Sequence, residues 1–208
     1  MKVLFLTNNE VSAPLAQWLE DHARVTVCGD PLSAPDMIAA RPDLVVSYSY
    51  RHIIKPDVLA LGRFVNLHIS MLPWNRGADP NAWSILDDTP KGVTIHVIDA
   101  GLDTGPALFQ RSVEFDDSET LGGSYAKLHE LIQGLFMESW PAIRDGTATP
   151  LPYAGRGSYH HSREFAAIKE RVMGAEGWGV TLKAMRGRYP SIIGSASTAA
   201  TGSGPGST

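Results

Sequence analysis

Cysteine is almost absent: Cys28 is the only one in 208 residues. An internal disulfide is therefore excluded, and the chain suits a reducing, cytoplasmic setting rather than a stapled secreted scaffold. Within Val25-Thr26-Val27-Cys28 the thiol reads as a small buried hydrophobe, not a nucleophile. Long apolar runs are missing too, and none approaches the roughly 20 residues that span a bilayer. The opening Met1-Lys2-Val3-Leu4-Phe5-Leu6 is too short for a signal-peptide core and meets Asn8-Asn9-Glu10 at once, so it reads as a first strand. Positive charge is also scarce. Lys and Arg number 18 against 22 Asp and Glu, a net charge of −4, which argues against a partner made of nucleic-acid phosphates. What is left, 43% hydrophobic and 19% charged, is enough for one substantial core of a globular protein.

Along the chain, short apolar runs alternate with helical patterns. Residues 3–7, 25–28 and 43–48 read as strands, with helices expected over 12–22, 35–40 and 56–61. That alternation predicts βαβ units, hence an α/β fold with an open, mostly parallel, Rossmann-like sheet and helices on both faces. Further strands are expected at 64–69, 92–98 and 107–115, and the longest helical pattern covers 119–143. Residues 147–157 are rich in Pro and Gly, and 158–172 can hold another helix. The expected division is a main domain over 1–146, an extension over 147–193, and a disordered Ser/Gly/Thr/Ala tail over 194–208.

The strand at Phe64-Val65-Asn66-Leu67-His68-Ile69 carries two polar residues at alternating positions, which places Asn66 and His68 on one face. An amide donor and an imidazole at a strand end suit attack of an amine on an activated carbonyl. The Asn can stabilise the developing oxyanion and the His can carry the proton. Asp103, in the turn Gly101-Leu102-Asp103-Thr104-Gly105-Pro106, is a third candidate, able to orient the imidazole or favour its charged form. Blander readings compete: a strand His is more often a core residue, and an Asp in a turn often bonds its own backbone. Asp103-Thr104-Gly105 also matches the short aspartic-protease signature. Those enzymes need two such loops in a β context, and this chain has one in an α/β pattern. The pair His160-His161 is too short to propose a metal site.

Four segments occur in one order and spacing: Asn66-Leu67-His68-Ile69-Ser70-Met71-Leu72-Pro73; Arg76-Gly77 with Pro80 and Trp83; Gly92-Val93-Thr94-Ile95-His96; and Gly101-Leu102-Asp103-Thr104-Gly105-Pro106. Together they resemble the formyltransferases that use 10-formyltetrahydrofolate, over roughly residues 1–145. The resemblance implies catalytic roles for Asn66, His68 and Asp103. It implies a folate pocket between the loop Tyr50, Arg51, His52, Ile53 and Ile54 and the turn Asp99, Gly101 and Leu102. Trp74, Arg76 and His96 fall on the acceptor side, although Arg76 can equally pin its own loop.

Within that family the chain looks most like small bacterial sugar N-formyltransferases, so the implied acceptor is a primary amine on a sugar nucleotide. No nucleic acid or membrane partner is implied, and a homodimer is left open. Tyr159 and Trp178 are open to stacking on a base or to burial in the core. Glycinamide ribonucleotide formyltransferase is the nearest competitor, but Thr7-Asn8-Asn9-Glu10 lacks its Gly/Ser-rich phosphate loop. Methionyl-tRNA formyltransferases carry a further domain for tRNA. A formyltetrahydrofolate hydrolase and a non-catalytic folate or nucleotide module remain as alternatives of other kinds.

Overall fold

The computed structural model describes residues 1–153 and 155–200, with side chains as far as Ile192. The chain runs through β1 (Lys2–Leu6), α1 (Ala13–Glu20), β2 (Arg24–Cys28), α2 (Ala34–Ala40), β3 (Leu44–Tyr48), α3 (Pro56–Leu59) and β4 (Phe64–His68). It continues with β5 (Arg76–Gly77), α4 (Pro80–Leu86), β6 (Gly92–Val97), β7 (Ala107–Ser112) and α5 (Leu121–Asp145). The last elements are β8 (Tyr159–His160), α6 (Ser162–Met173) and α7 (Leu182–Ala200).

Six strands form one sheet in the order β2-β1-β3-β4-β6-β7. The first four are parallel, and β6 and β7 add on antiparallel. Strand side chains alternate between faces, and the sequence supplies apolar residues on both. Val3, Phe5, Val46, Val65, Leu67, Val93 and Ile95 meet Leu15 and Leu19 of α1 and the apolar side of α5. That side is Leu128, Ile132, Leu135, Phe136, Trp140 and Ile143, a helical spacing that keeps all six on one stripe. Leu4, Leu6, Val45 and Phe64 point the other way, onto Met37 of α2 and Val58 of α3. The Rossmann-like α/β expectation is thus met, helices on both faces included.

A separate cluster joins the extension to the main body. Ala82, Trp83, Ile85 and Leu86 of α4, with Leu121, pack on Phe165, Val172 and Met173 of α6 and on Leu182, Met185 and Ile192 of α7. Within the tail expected over 194–208, the backbone of 194–200 continues α7 in helical form. Ala and Ser are adequate helix formers once a packed helix precedes them. Residues 201–208 lie outside the described residues. The expected helix over 158–172 begins only at Ser162, because residues 159–160 are held extended against β5. Cys28 is half-buried rather than buried, because β2 is an edge strand. Among the described residues no helix is long and apolar enough to cross a membrane.

Candidate active site

In the sheet, Asn66 stands directly opposite His96, and His68 opposite Thr94. Residues paired across strands share a face. The face of β4 and β6 that turns away from α5 therefore carries Asn66, His68, Thr94 and His96. Thr94 closes the bend after β4: its hydroxyl donates to the Ser70 carbonyl (2.8 Å) and accepts from the Leu72 N–H (3.1 Å).

Asp103 completes this face from the loop after β6. The turn before it is drawn tight by Asp99, which accepts from the Gly101 N–H and the Thr104 hydroxyl at 3.0 and 2.6 Å. Asp103 itself sits at φ +50°, a left-handed conformation that Asp tolerates better than most residues. One carboxylate oxygen accepts from the Gly77 N–H (2.9 Å) and lies 3.7 Å from His68 Nδ1. The other accepts from Asn66 Nδ2 (3.3 Å) and lies 3.4 Å from His96 Nε2. Burial pushes the Asp103 carboxyl up. The His68 ring, when protonated, together with the His96 ring and the Gly77 N–H, pulls it down further, so it rests well below the usual carboxylate range. Asp103 is therefore an anion at neutral pH. An anion can only accept, which fixes the amide group of Asn66 turned toward it as the NH₂.

The two imidazoles are held differently. His68 Nε2 donates to the Asn75 carbonyl at 3.1 Å, which leaves Nδ1 on the Asp103 side. His96 Nδ1 donates to the Val97 carbonyl at 2.8 Å, and its Nε2 faces both Asn66 Nδ2 (3.2 Å) and Asp103. When neutral, His96 accepts from Asn66; when protonated, it donates to Asp103. His96 is almost fully buried, and every one of these partners belongs to the protein. It is packed against Asn66 and Asp103.

The loop Tyr50 to Ile54 lies beyond the carboxyl end of β3, where ligands of open α/β sheets bind. The Tyr50 hydroxyl donates to the Asp30 carbonyl (2.6 Å) and accepts from Leu32 N–H (3.0 Å), and Asn8 accepts from Arg51 N–H (3.0 Å). His52 stacks edge-on against Tyr50. Ile54 and Ile98 pack on one apolar cluster, which brings this loop and the strand leading to Asp99 together. Ile53 and Leu102 are left exposed, at 75% and 46%. Arg76 donates from Nε to the Ser158 carbonyl (3.3 Å), so the pinning role is present. Trp74 is half-buried, with Gly155 against its ring. Trp178 (57% exposed) and Tyr159 (45%) are surface rings, not core.

Four participants were missed. Asn75 is fully buried at φ +56° and presents its carbonyl to His68. Gly77, at φ +90°, gives Asp103 its N–H, and a Cβ there would lie 2.4 Å from the His160 carbonyl oxygen. Tyr153 and Ser158 come from the extension: the Tyr153 hydroxyl donates to the Gly105 carbonyl, and Ser158 bonds Asn75. The Arg-Gly pair and the turn-prone Asn were signals for the first two, whereas nothing local marks Tyr153 or Ser158.

The formyl transferase family model matches residues 29–139. The dTDP-4-amino-4,6-dideoxyglucose formyltransferase of Mycobacterium tuberculosis is 31% identical over 190 residues, 85% of this chain and 81% of that protein. The formyltransferase PseJ from Anoxybacillus kamchatkensis, solved with UDP-4,6-dideoxy-4-formamido-L-AltNAc and tetrahydrofolate, is 40% identical. It superimposes with a TM-score of 0.81 over 91% of this chain and 100% of its own. Methionyl-tRNA formyltransferase from Roseiflexus is 38% identical, but the match spans only 59% of this chain and 39% of that enzyme. A family match over more than half the chain, a fold shared at full length with one member, and a polar cluster suited to acyl transfer agree: this chain belongs to the formyl transferase family.

Proposed function

We propose that this enzyme moves the formyl group of 10-formyltetrahydrofolate to the primary amine of a nucleoside-diphosphate-linked 4-amino-4,6-dideoxy sugar. The observation that carries the reading is the convergence of Asn66, His68 and Asp103 at the ends of β4 and β6. The Tyr50 to Ile54 loop suits a flat, partly apolar cofactor. It offers the exposed Ile53 side chain opposite the Leu102 turn, and its tip is braced by Tyr50 and Asn8. When bound, the folate supplies an activated formyl carbonyl. Uridine is favoured over thymidine as the nucleoside because the UDP-sugar relative shares more identity and its whole length.

Each residue then has a task set by its geometry. His68, with its proton on Nε2, keeps Nδ1 free to take a proton from the attacking amine. The resulting imidazolium turns a second N–H toward anionic Asp103, which stabilises that charge without changing its own protonation, and His68 then gives the proton to the nitrogen of the departing tetrahydrofolate as the old C–N bond breaks. Asn66 offers an amide N–H to the developing oxyanion, releasing His96 or Asp103 as it does so. His96 keeps Asn66 and Asp103 aligned from behind. The half-exposed lone thiol suits a reducing compartment, and we place the enzyme in the cytosol.

The test is direct. The protein is incubated with 10-formyltetrahydrofolate and a panel of UDP- and dTDP-linked 4-amino-4,6-dideoxy sugars, and the sugar is analysed by mass spectrometry. A formamido sugar forming together with tetrahydrofolate is the expected result. Formate released at the same rate with and without any amine would replace this reading with a hydrolase.

A further inference from the structure

His68 owes its orientation to a loop held partly by its own bonds, Trp74 N–H to the Met71 carbonyl and the Ser70 hydroxyl to the Trp74 carbonyl, and partly from outside. Residues 73–76 are fixed from the extension, and Ser158 does most of the fixing. Its N–H donates to the Pro73 carbonyl (3.1 Å), and its carbonyl accepts from the Arg76 N–H (3.1 Å) and Nε (3.3 Å). Its hydroxyl accepts from the Asn75 N–H (2.9 Å) and donates to Asn75 Oδ1 (3.2 Å). The preceding Gly157 lies so close that a Cβ would be 2.0 Å from the Pro73 carbonyl oxygen. On its other side Asn75 gives Nδ2 to the Thr89 hydroxyl at 2.7 Å. Asn75 is completely buried in a left-handed conformation, so its backbone orientation depends on these side-chain and backbone partners. That orientation aims the Asn75 carbonyl at His68 Nε2.

A carbonyl can only accept, so it selects the imidazole tautomer with the proton on Nε2 and leaves Nδ1 as the basic atom. We infer that Ser158 is a positioning residue for His68, acting through Asn75, and that the segment beyond residue 146 is thereby a working part of the catalytic site. The inference rests on the assignment of His68 as proton carrier made above. Asp103 and His96 are the titratable groups facing the His68 ring among the described residues, and neither touches Ser158. Loss of the Ser158 hydroxyl should therefore act on His68 through Asn75 alone.

The decisive readout is the tautomer, seen in ¹H–¹⁵N spectra of protein labelled at histidine, without substrate. Wild-type His68 is expected as the Nε2–H form. In Ser158→Ala, that form should give way to a mixture. The kcat should fall roughly ten- to hundredfold with the KM for the folate unchanged. Ser158→Thr keeps the hydroxyl and should restore both. Ser158→Cys, with a weaker donor and acceptor, should fall between and serves if the Ala variant does not fold. An Nδ1–H tautomer in the wild type overturns the inference. So does a folded Ser158→Ala or Ser158→Cys with unchanged tautomer and kcat. Absence of any formyl transfer, with the tautomer responding as described, would overturn the proposed function and leave the coupling standing.

Discussion

The two faces of the strand pair β4–β6 are built from alternate residues of the same two strands and do opposite things. On one, Val65, Leu67, Val93 and Ile95 are buried against α5. On the other, His68, Thr94 and His96 are buried almost as deeply and Asn66 is half-buried, but these side chains hydrogen-bond to named protein partners. Burial alone does not tell the faces apart; the partner at each polar atom does. A hydrophobic face needs only complementary volume, so its contribution is spread over many contacts. A buried polar face holds only if every donor meets an acceptor, which fixes tautomers and amide orientation and so fixes reactivity.

The contrast can be broken first on the apolar side. Ile95→Ala removes a fully buried side chain beside Leu128 and Ile132 and should cost about 2–5 kcal/mol in urea unfolding, with kcat per folded molecule nearly unchanged. On the polar side the outcome should invert. His68→Ala should lower kcat by about a hundredfold or more, about 2.7 kcal/mol in the barrier, while the unfolding midpoint moves much less. If both variants lose stability and activity in parallel, the faces are not separate in function.

A polar group on the helix covering that side of the sheet sharpens the comparison. His129 of α5 is buried, with Nδ1 2.5 Å from the hydroxyl of Tyr48 in β3, and burial pushes its pKa down to about 4. In the unfolded chain a histidine titrates near 6.5. Between about pH 6.5 and about 4 the unfolded state therefore binds a proton that the folded state does not, so stability falls as pH drops through that window and is level above it. In His129→Gln, which keeps a partner for Tyr48, that part of the slope should disappear from stability measured against pH.

Much of this organisation is visible in the sequence, and the reasons for the exceptions are physical. Asn66 and His68 declare a shared face because strand periodicity is local, and the alternating β and α patterns give the Rossmann-like sheet for the same reason. The place of His96 depends on β6 lying antiparallel beside β4, a pairing no local pattern encodes, so its position behind Asp103 is not legible. Cys28 looks buried because an apolar run reads alike in a central strand and at an edge. Ser158 is further from view, because it meets Asn75 across 83 residues and carries no motif of its own. Trp178 and Tyr159 read equally well as core or surface, because composition does not say which side of an aromatic ring a helix or loop will cover.

The most direct test of the polar face uses Asn66→Ala, assayed with 10-formyltetrahydrofolate and a UDP-linked 4-amino-4,6-dideoxy sugar while thermal unfolding is followed on the same sample. Among Asn66, His68 and Asp103, Asn66 alone carries no titrating proton, so its loss isolates stabilisation of the oxyanion. A fall of roughly a hundredfold or more in formamido-sugar formation, with the folded structure retained, is the predicted result. Turnover within a few-fold of wild type in a folded variant would contradict it.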